Sequence, residues 1–136
     1  MIVIDASVAL AWVIEDSEEH RQYSAAILAQ KLEHGNTLAA PGLMSTEVAY
    51  KLLKLGRSRR FSEAKIAEQA EMVDLFIDLT YDLESRAASL VRFAVRHNVQ
   101  GYDAVYLALA MHLDAPLATL DSGLRAAARR AKVALA

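Results

Sequence analysis

Short apolar runs and longer amphipathic stretches alternate along the whole chain. Residues 2–4 are a β-branched run that stops at Asp5, and residues 8–14 continue apolar without alternation, as a buried helix would. The same succession recurs and predicts strands at 2–4, 37–40, 73–80, 117–120 and 132–136, and helices at 8–14, 17–33, 43–55, 62–72, 83–97, 102–113 and 123–131. Because strands that alternate with helices need crossover connections, the pattern predicts an α/β fold with a central, mostly parallel sheet flanked by helices on both faces.

Length and composition narrow the class of protein. The chain has 136 residues, of which 54% are hydrophobic and 24% charged, and we expect a single domain over residues 1–136. The absence of cysteine excludes disulfides, thiolate zinc sites and cysteine nucleophiles, and it fits the cytoplasmic location that we expect. The opening apolar run lacks a basic flank and carries Asp5, so we predict neither a signal peptide nor a membrane span.

Acidic residues follow or open elements at the same end of the predicted sheet. Asp5 follows the first strand, and Asp121 follows the strand at 117–120. Glu47 lies in the first half of the helix 43–55, and Asp103 lies at the start of the helix 102–113. Because ligands of open α/β sheets gather at the carboxyl ends of the strands, we expect these four carboxylates to converge at one rim.

Each acid also has a purely structural interpretation. Asp5 and Asp121 could be helix N-caps, and Glu47 and Asp103 could be first-turn acids favoured by the helix dipole. Four acids at one rim would repel one another unless a cation lay between them, and Mg²⁺ or Mn²⁺ prefers carboxylate ligands. Such an ion activates water for attack on phosphorus, whereas the four histidines show no zinc-ligand spacing. Two further acids, Asp74 and Asp78, we assign to an exposed strand face without function.

Four segments carry a resemblance to a known family: VIDASVALAW, PGLMSTEVAYKLLK, GYDAVYLALA and LATLDSGLRAAA. Over essentially the entire chain the sequence resembles the PIN domain ribonucleases, and among them the VapC-type toxins of bacterial toxin-antitoxin pairs. The resemblance implies an Mg²⁺- or Mn²⁺-dependent endoribonuclease, restrained by a cognate antitoxin protein. It assigns the metal site to Asp5, Glu47, Asp103 and Asp121, with Ser7 and Thr119 as supporting hydroxyl residues.

One departure from the family pattern is Tyr50, where many relatives carry Asn. The change bears on a supporting hydrogen bond and on substrate preference, and it leaves the metal ligands intact.

Basic residues cluster although the net charge is −2. Residues 48–62 and 122–136 contain no acid, and a charge run of this kind is usually a solvated face. Beside a metal site it would instead hold RNA phosphates, while an aromatic side chain at the rim would stack on bases. The candidate RNA contacts are Lys51, Lys54, Arg57, Arg59, Arg60, Tyr102 and Arg125, whereas Trp12 and Tyr106 are expected in the core.

The apolar positions of residues 105–111 are too many for one core-facing stripe. They indicate either deep burial or a subunit interface, and with the latter we expect a homodimer. The helices 17–33 and 43–55 are candidate walls of a groove for the antitoxin. Two other functions stay open: a PIN-like nuclease that cuts structure-specific DNA, and a catalytically silent binding module whose acids only cap helices.

Overall fold

The computed structural model describes residues 1–14, 16–83 and 86–136. Its strands are β1 (Ile2–Ile4), β2 (Leu38–Pro41), β3 (Leu79–Tyr81) and β4 (Leu117–Ala118). Its helices are α1 (Ala6–Ala11), α2 (Glu18–His34), α3 (Leu43–Ser58), α4 (Glu63–Phe76), α5 (Ala87–His97), α6 (Asp103–His112) and α7 (Ser122–Arg130).

The strands form one parallel sheet in the order β3-β2-β1-β4. Ile2 pairs with Leu38, and Ile4 pairs with Ala118, so β1 lies between β2 and β4. Helices pack against the sheet, and α6 contacts β1, β2 and β4. The predicted α/β class with a parallel sheet is therefore confirmed. Within the described ranges, no helix combines the length and the apolarity that crossing a membrane requires.

The central strand β1 and helix α6 form the middle of the core. Val3 and Ile4 have no exposed surface, and Tyr106, Leu107 and Leu109 of α6 are equally buried. Burial inside the chain thus accounts for the apolar excess of residues 105–111. A subunit interface is therefore not needed to explain the apolar side chains of this helix, because most of them already pack inside the chain.

Several predicted boundaries were wrong. The segment 73–76 belongs to α4, and the strand is limited to Leu79–Tyr81. Val73 is buried two helical turns after Ile66, so the helix gains a core contact that a strand starting there would lose. Residues 132–136 are not a strand, since only Leu135 forms a bridge, to Leu117. The predicted helix 83–97 begins at Ala87, and its predicted positions 84–85 lie outside the described residues.

Asp78 is exposed, as predicted, but it does not lie on a strand and it has specific partners. It lies between α4 and β3, where its carboxylate accepts a hydrogen bond from the Leu38 N–H at 2.8 Å and pairs with the Lys31 ammonium at 2.7 Å. The hydrogen bond from Lys31 is the main reason why the pKa of Asp78 is lowered. This carboxylate ties α2 to the start of β2. Asp74 is also exposed, but on α4 and not on a strand.

Candidate active site

The parallel sheet brings the ends of β1 and β4 together at one edge. The Asp5 N–H donates to the Ala118 carbonyl at 3.0 Å, so Asp5 leaves β1 directly beside the end of β4. Asp5 precedes α1, and Asp121 precedes α7. Glu47 reaches the same edge from the second turn of α3, and Asp103 is the first residue of α6.

Asp5 is held by two hydroxyl groups rather than by a helix terminus. Its side chain makes no capping bond to α1, and the residue is only 5% exposed. Its Oδ2 accepts hydrogen bonds from Ser7 Oγ at 2.5 Å and from Thr119 Oγ1 at 2.7 Å. The cap interpretation is therefore wrong for Asp5. The two hydroxyl residues that the resemblance assigned to support the acids both contact this carboxylate.

The same hydroxyls are themselves anchored by the backbone after β4. Ser7 Oγ accepts from the Leu120 N–H, and Thr119 Oγ1 accepts from the Asp121 N–H, both at 3.0 Å. Each hydroxyl has one proton to donate, and an amide donor directs that proton toward Asp5. The network thus fixes the orientation of Asp5 from two segments of the chain.

Glu47 is held by Tyr106, a residue whose role the sequence did not reveal. The Tyr106 hydroxyl donates to Glu47 Oε2 at 2.6 Å, and the Lys51 ammonium lies 3.5 Å from Oε1. Burial and the neighbouring Glu47 carboxylate raise the pKa of Tyr106, so its hydroxyl keeps its proton and stays a donor. Tyr106 is in the core as expected, and the only additional signal was that a buried tyrosine hydroxyl needs a polar partner.

The pKa of Asp103 is affected by all three other carboxylates. Its pKa is raised to about 6, first because the residue is half buried and then because Asp121, Asp5 and Glu47 lie close enough to repel its charge, while Lys51 acts in the opposite direction. Repulsion from each of the others indicates that the four acids face a common space. The structure therefore brings together the residues that the sequence predicted to converge.

Asp121 differs from the others because it does cap a helix. Its Oδ1 accepts from the Leu124 N–H at 2.7 Å, and the residue is exposed at the start of α7. For Asp121 the cap interpretation is thus confirmed, although its second oxygen is not used in that bond.

The four acids do not form a preassembled metal site. Within residues 1–14, 16–83 and 86–136, no three histidine, aspartate or glutamate side chains are grouped closely enough to hold an ion as they stand. Mg²⁺ usually binds only one or two carboxylates directly and keeps several water ligands. The donor set therefore fits a hydrated Mg²⁺ or Mn²⁺ that is bound directly by one or two of the carboxylates.

A cavity of about 410 Å³ adjoins the acids. It is lined by Leu43, Thr46, Glu47, Tyr50 and Tyr102, so Glu47 belongs both to the acidic cluster and to the cavity wall. Tyr50 and Tyr102 are 65% and 62% exposed. The cavity therefore opens beside one of the four carboxylates, Glu47.

The basic residues are spread over different surfaces. Lys51 lies at the acids, and Lys54 and Arg59 are exposed on or just after α3. Arg57 and Arg60 line a second cavity of about 710 Å³ between α3 and α4. The Arg125 guanidinium lies over the Tyr23 ring, 5.2 Å from its centroid. Of the candidate RNA contacts, only Lys51 and Tyr102 therefore border the acids or their adjoining cavity.

Comparison with known proteins adds a family and a fold relative. A family model described as the PIN domain matches residues 2–130. Ribonuclease VapC1 of Mycobacterium tuberculosis, from strains CDC 1551 / Oshkosh and ATCC 25618 / H37Rv, is 39% identical over 88 residues, which is 65% of this chain and 65% of each relative. The chain thus spans just under two thirds of the curated relatives that it matches. The crystal structure of PAE2754 from Pyrobaculum aerophilum is similar with a TM-score of 0.69 at 24% identity, covering 93% of this chain and 78% of that one, which supports the fold.

Proposed function

This chain belongs to the PIN domain family, and from that premise we propose that it is an Mg²⁺- or Mn²⁺-dependent endoribonuclease acting as the toxin of a toxin-antitoxin pair. The observation that carries the proposal is that Asp5, Glu47, Asp103 and Asp121 lie at one edge of the sheet, close enough that, besides burial, the other three carboxylates raise the pKa of Asp103. Asp5 and Glu47 cap no helix and are each held by side-chain hydroxyls, an arrangement that suits ligands of a divalent cation. The curated relatives named Ribonuclease VapC1 support RNA as the substrate.

The residues that would hold the ion are Asp5, Glu47, Asp103 and Asp121. A bound divalent ion supplies an activated water and neutralises charge on the phosphate under attack. Ser7 and Thr119 hold Asp5 in one orientation, and Tyr106 does the same for Glu47. Fixed carboxylates limit the rearrangement that ion binding requires, which favours binding to this protein over binding to a flexible acidic surface.

Lys51 has a separate part in the proposal. Its ammonium lies 3.5 Å from Glu47 Oε1 and is about half exposed. Without an ion, it offsets part of the negative charge that raises the pKa of Asp103. With RNA present, it can turn to a backbone phosphate, as can the exposed Lys54 one turn away on α3. Arg57, Arg59, Arg60 and Arg125 stay weaker candidates for RNA contact, because no described contact brings them to the acids.

For the antitoxin we propose the cavity between α3 and α4. Its wall is mostly apolar, with Leu52, Phe61 and Ile66 among the lining residues and Arg57 and Arg60 beside them. An apolar partner segment would fill this space while a basic side chain of the partner enters the acidic site. The proposed groove walls are thus α3 and α4, so α4 takes the place of the helix 17–33 that the sequence suggested. A partner of this kind and an RNA substrate would both be met in the cytoplasm, where we place the protein.

We also propose a homodimer, with the interface on α5 and no longer on α6. Helix α6 is buried, but Val91 and Val95 on neighbouring turns of α5 are 61% and 76% exposed. An exposed apolar stripe is suited to pairing with a second copy. Light scattering at micromolar concentration tests this directly, and a monomer under those conditions would refute the dimer.

The proposed activity is tested with the purified chain and single-stranded and structured RNA. We expect cleavage with Mg²⁺ or Mn²⁺, none in EDTA, and none by Asp5→Ala or Asp103→Ala protein in either ion. Full cleavage by both variants would overturn the site. Structured DNA in the same assay tests the alternative of a DNA nuclease. If the protein cleaves neither RNA nor DNA, the remaining alternative is a catalytically silent binding module, in which the acids have structural roles such as the capping bond of Asp121.

A further inference from the structure

We propose that the cavity beside Glu47 is a nucleobase-binding site, which grips one unpaired base of the RNA between Tyr50 and Tyr102 next to the phosphate that is cut. This inference rests on the proposed function, because it takes RNA as the substrate of the four carboxylates. It adds the position at which the chain recognises a base and the residues that do so. The inference comes from the shape and lining of the cavity and from its connection to the acids.

The first observation is that the cavity and the acidic cluster share a wall. Glu47 lines the cavity, and its carboxylate also acts on Asp103. Tyr102 directly precedes Asp103 in the chain, so a base that stacks on the Tyr102 ring would lie beside the acidic cluster. A base and its own backbone phosphate are connected by a single sugar. A base in the cavity therefore positions the adjoining phosphate near the carboxylates.

The second observation is the aromatic content of the opening. Tyr50 and Tyr102 leave most of their surface in water and line the same cavity, so the two rings form one exposed aromatic patch and not two scattered exposed residues. The aromatic pairs in the described part of the chain do not include these two rings, so neither ring is occupied by the other. Exposed aromatic rings that line one cavity are suited to stacking a base.

The third observation is the charge pattern on α3. Tyr50 is three residues after Glu47 and four before Lys54, spacings that place side chains on one helix face. Lys51 lies on the adjoining position and already reaches Glu47. Lys51 thus supplies an ammonium group beside Tyr50 that can hold a phosphate next to the stacked base. A phosphate carries the negative charge that this ammonium attracts, which is why we assign the cavity to nucleic acid.

The proposal has a consequence for the form of the substrate. A base can enter the cavity only if it leaves its neighbours, and in a duplex this costs both stacking and pairing. RNA with an unpaired nucleotide at the cleaved position is therefore preferred over continuous duplex RNA. Stacking is tolerant of base identity, so any further sequence selectivity must come from polar groups such as the Thr46 hydroxyl.

The test measures base stacking and not cleavage. The probe is a short single-stranded oligoribonucleotide in which 2-aminopurine replaces one base at a time, titrated with protein in EDTA so that metal-dependent cleavage is absent. Stacking on an aromatic ring quenches 2-aminopurine fluorescence. We expect quenching by the wild-type protein and by Tyr50→Phe and Tyr102→Phe, which keep the rings. Loss of one ring in Tyr50→Ala or Tyr102→Ala should weaken binding about 5- to 150-fold.

The control variant is Leu75→Ala, which removes an equally exposed apolar side chain from α4, away from the cavity. It should titrate like the wild type. Alanine variants of both tyrosines that also titrate like the wild type would overturn the inference, even if the protein cleaves RNA as proposed. Conversely, tyrosine-dependent quenching by a protein that cleaves no RNA in Mg²⁺ or Mn²⁺ would refute the proposed activity and keep the base-binding site.

Discussion

Helix α3 takes part in two regions that are built in opposite ways. Its first half supplies Glu47 to the acids, and its second half supplies Leu52 to the cavity against α4. The acidic region joins parts of the chain that are far apart, since the Thr119–Asp5 hydrogen bond spans 114 residues and the Tyr106–Glu47 bond spans 59. The α3–α4 cavity is lined entirely by residues between 49 and 70.

The difference indicates what each region depends on. The acids are oriented by hydrogen bonds that exist only when the whole sheet has formed, so single substitutions there should change chemistry. The cavity depends on two consecutive helices and on apolar packing, so substitutions there should change stability and partner binding. Five predictions test this contrast, beginning with the largest expected effect.

Removing the most buried acid should have the largest effect on activity. Asp5→Ala deletes a proposed ion ligand and leaves the Ser7 and Thr119 hydroxyls without their acceptor. We expect RNA cleavage in Mg²⁺ to fall by more than about 100-fold, since loss of even a supporting partner of a metal ligand commonly costs 10- to 100-fold. The measurement is the initial cleavage rate. Leu53→Ala in the α3–α4 cavity is the matched comparison and should leave that rate unchanged; equal losses in both variants would remove the contrast.

Thr119→Val keeps the size of the side chain and removes one hydroxyl. Asp5 Oδ2 then loses a donor, and the Asp121 N–H loses its acceptor. We expect a fall in cleavage of about 10- to 100-fold and a loss of about 1 to 3 kcal/mol in the free energy of unfolding. Chemical denaturation and cleavage rates measure the two effects. Thr119→Ser, which retains the hydroxyl, should recover most of the activity, and failure to do so would point to a packing role.

Gly56→Ala tests the cavity side of the comparison. An added Cβ would lie 2.5 Å from Cγ1 and Cδ1 of Ile66, so α4 packs directly against α3 at this glycine. Overpacking of this kind lowers the free energy of unfolding by about 1 to 3 kcal/mol. The higher helix propensity of alanine offsets up to about 1 kcal/mol of that loss. We expect a lower melting temperature with an unaltered shift on adding Mn²⁺. Ile66→Ala removes both clashing atoms, so the double variant Gly56→Ala/Ile66→Ala should lose less stability than the sum of the two single losses. A changed Mn²⁺ shift would show that the two regions are coupled.

Asp103→Asn should stabilise the protein when no ion is present. The substitution removes a charge that Asp121, Asp5 and Glu47 repel. Allowing for solvent screening at a half-buried residue, we expect a gain of about 1 to 2 kcal/mol in EDTA. The same variant should lose cleavage and most of the Mn²⁺-dependent stabilisation that the wild type gains by mass action. Thermal melts with EDTA and with millimolar Mn²⁺ measure both; a variant that is no more stable in EDTA and has the full Mn²⁺ shift would mean that Asp103 is not a ligand.

The smallest predicted effect is the pH dependence of that gain. The pKa of Asp103 is raised from 3.8 to about 6 in the folded chain, so the folded state binds the proton more tightly than the unfolded state. Its contribution to stability is therefore complete below the unfolded pKa and is lost as the pH rises through the folded value. The difference between Asp103→Asn and wild type in EDTA should be small near pH 4 and grow toward pH 7. A difference that is constant over this range would contradict the raised pKa.

The sequence alone determined the α/β class and the edge at which the acids meet. Both follow from local patterns, because the alternation of apolar runs and helical stretches sets the topology, and a carboxylate after a parallel strand has only one edge to occupy. The support of Asp5 by Ser7 was implied by the resemblance to the PIN domain ribonucleases and not by the local pattern, and the hydrogen bond between the two side chains agrees with it.

Only the tertiary structure decided which partners the acids and their neighbouring side chains have at this edge of the sheet. The segment 73–80 alternates as a strand does and was predicted as one, yet residues 73–76 form the end of α4, where Val73 is buried. Asp5 and Asp121 occupy the same position before a helix, yet the first bonds to Thr119 and the second caps α7, because only Asp5 lies between two strands. The partnership of Tyr106 with Glu47 and the cavity between Tyr50 and Tyr102 depend on how α3 and α6 meet, and packing between distant segments leaves no local pattern in a single sequence.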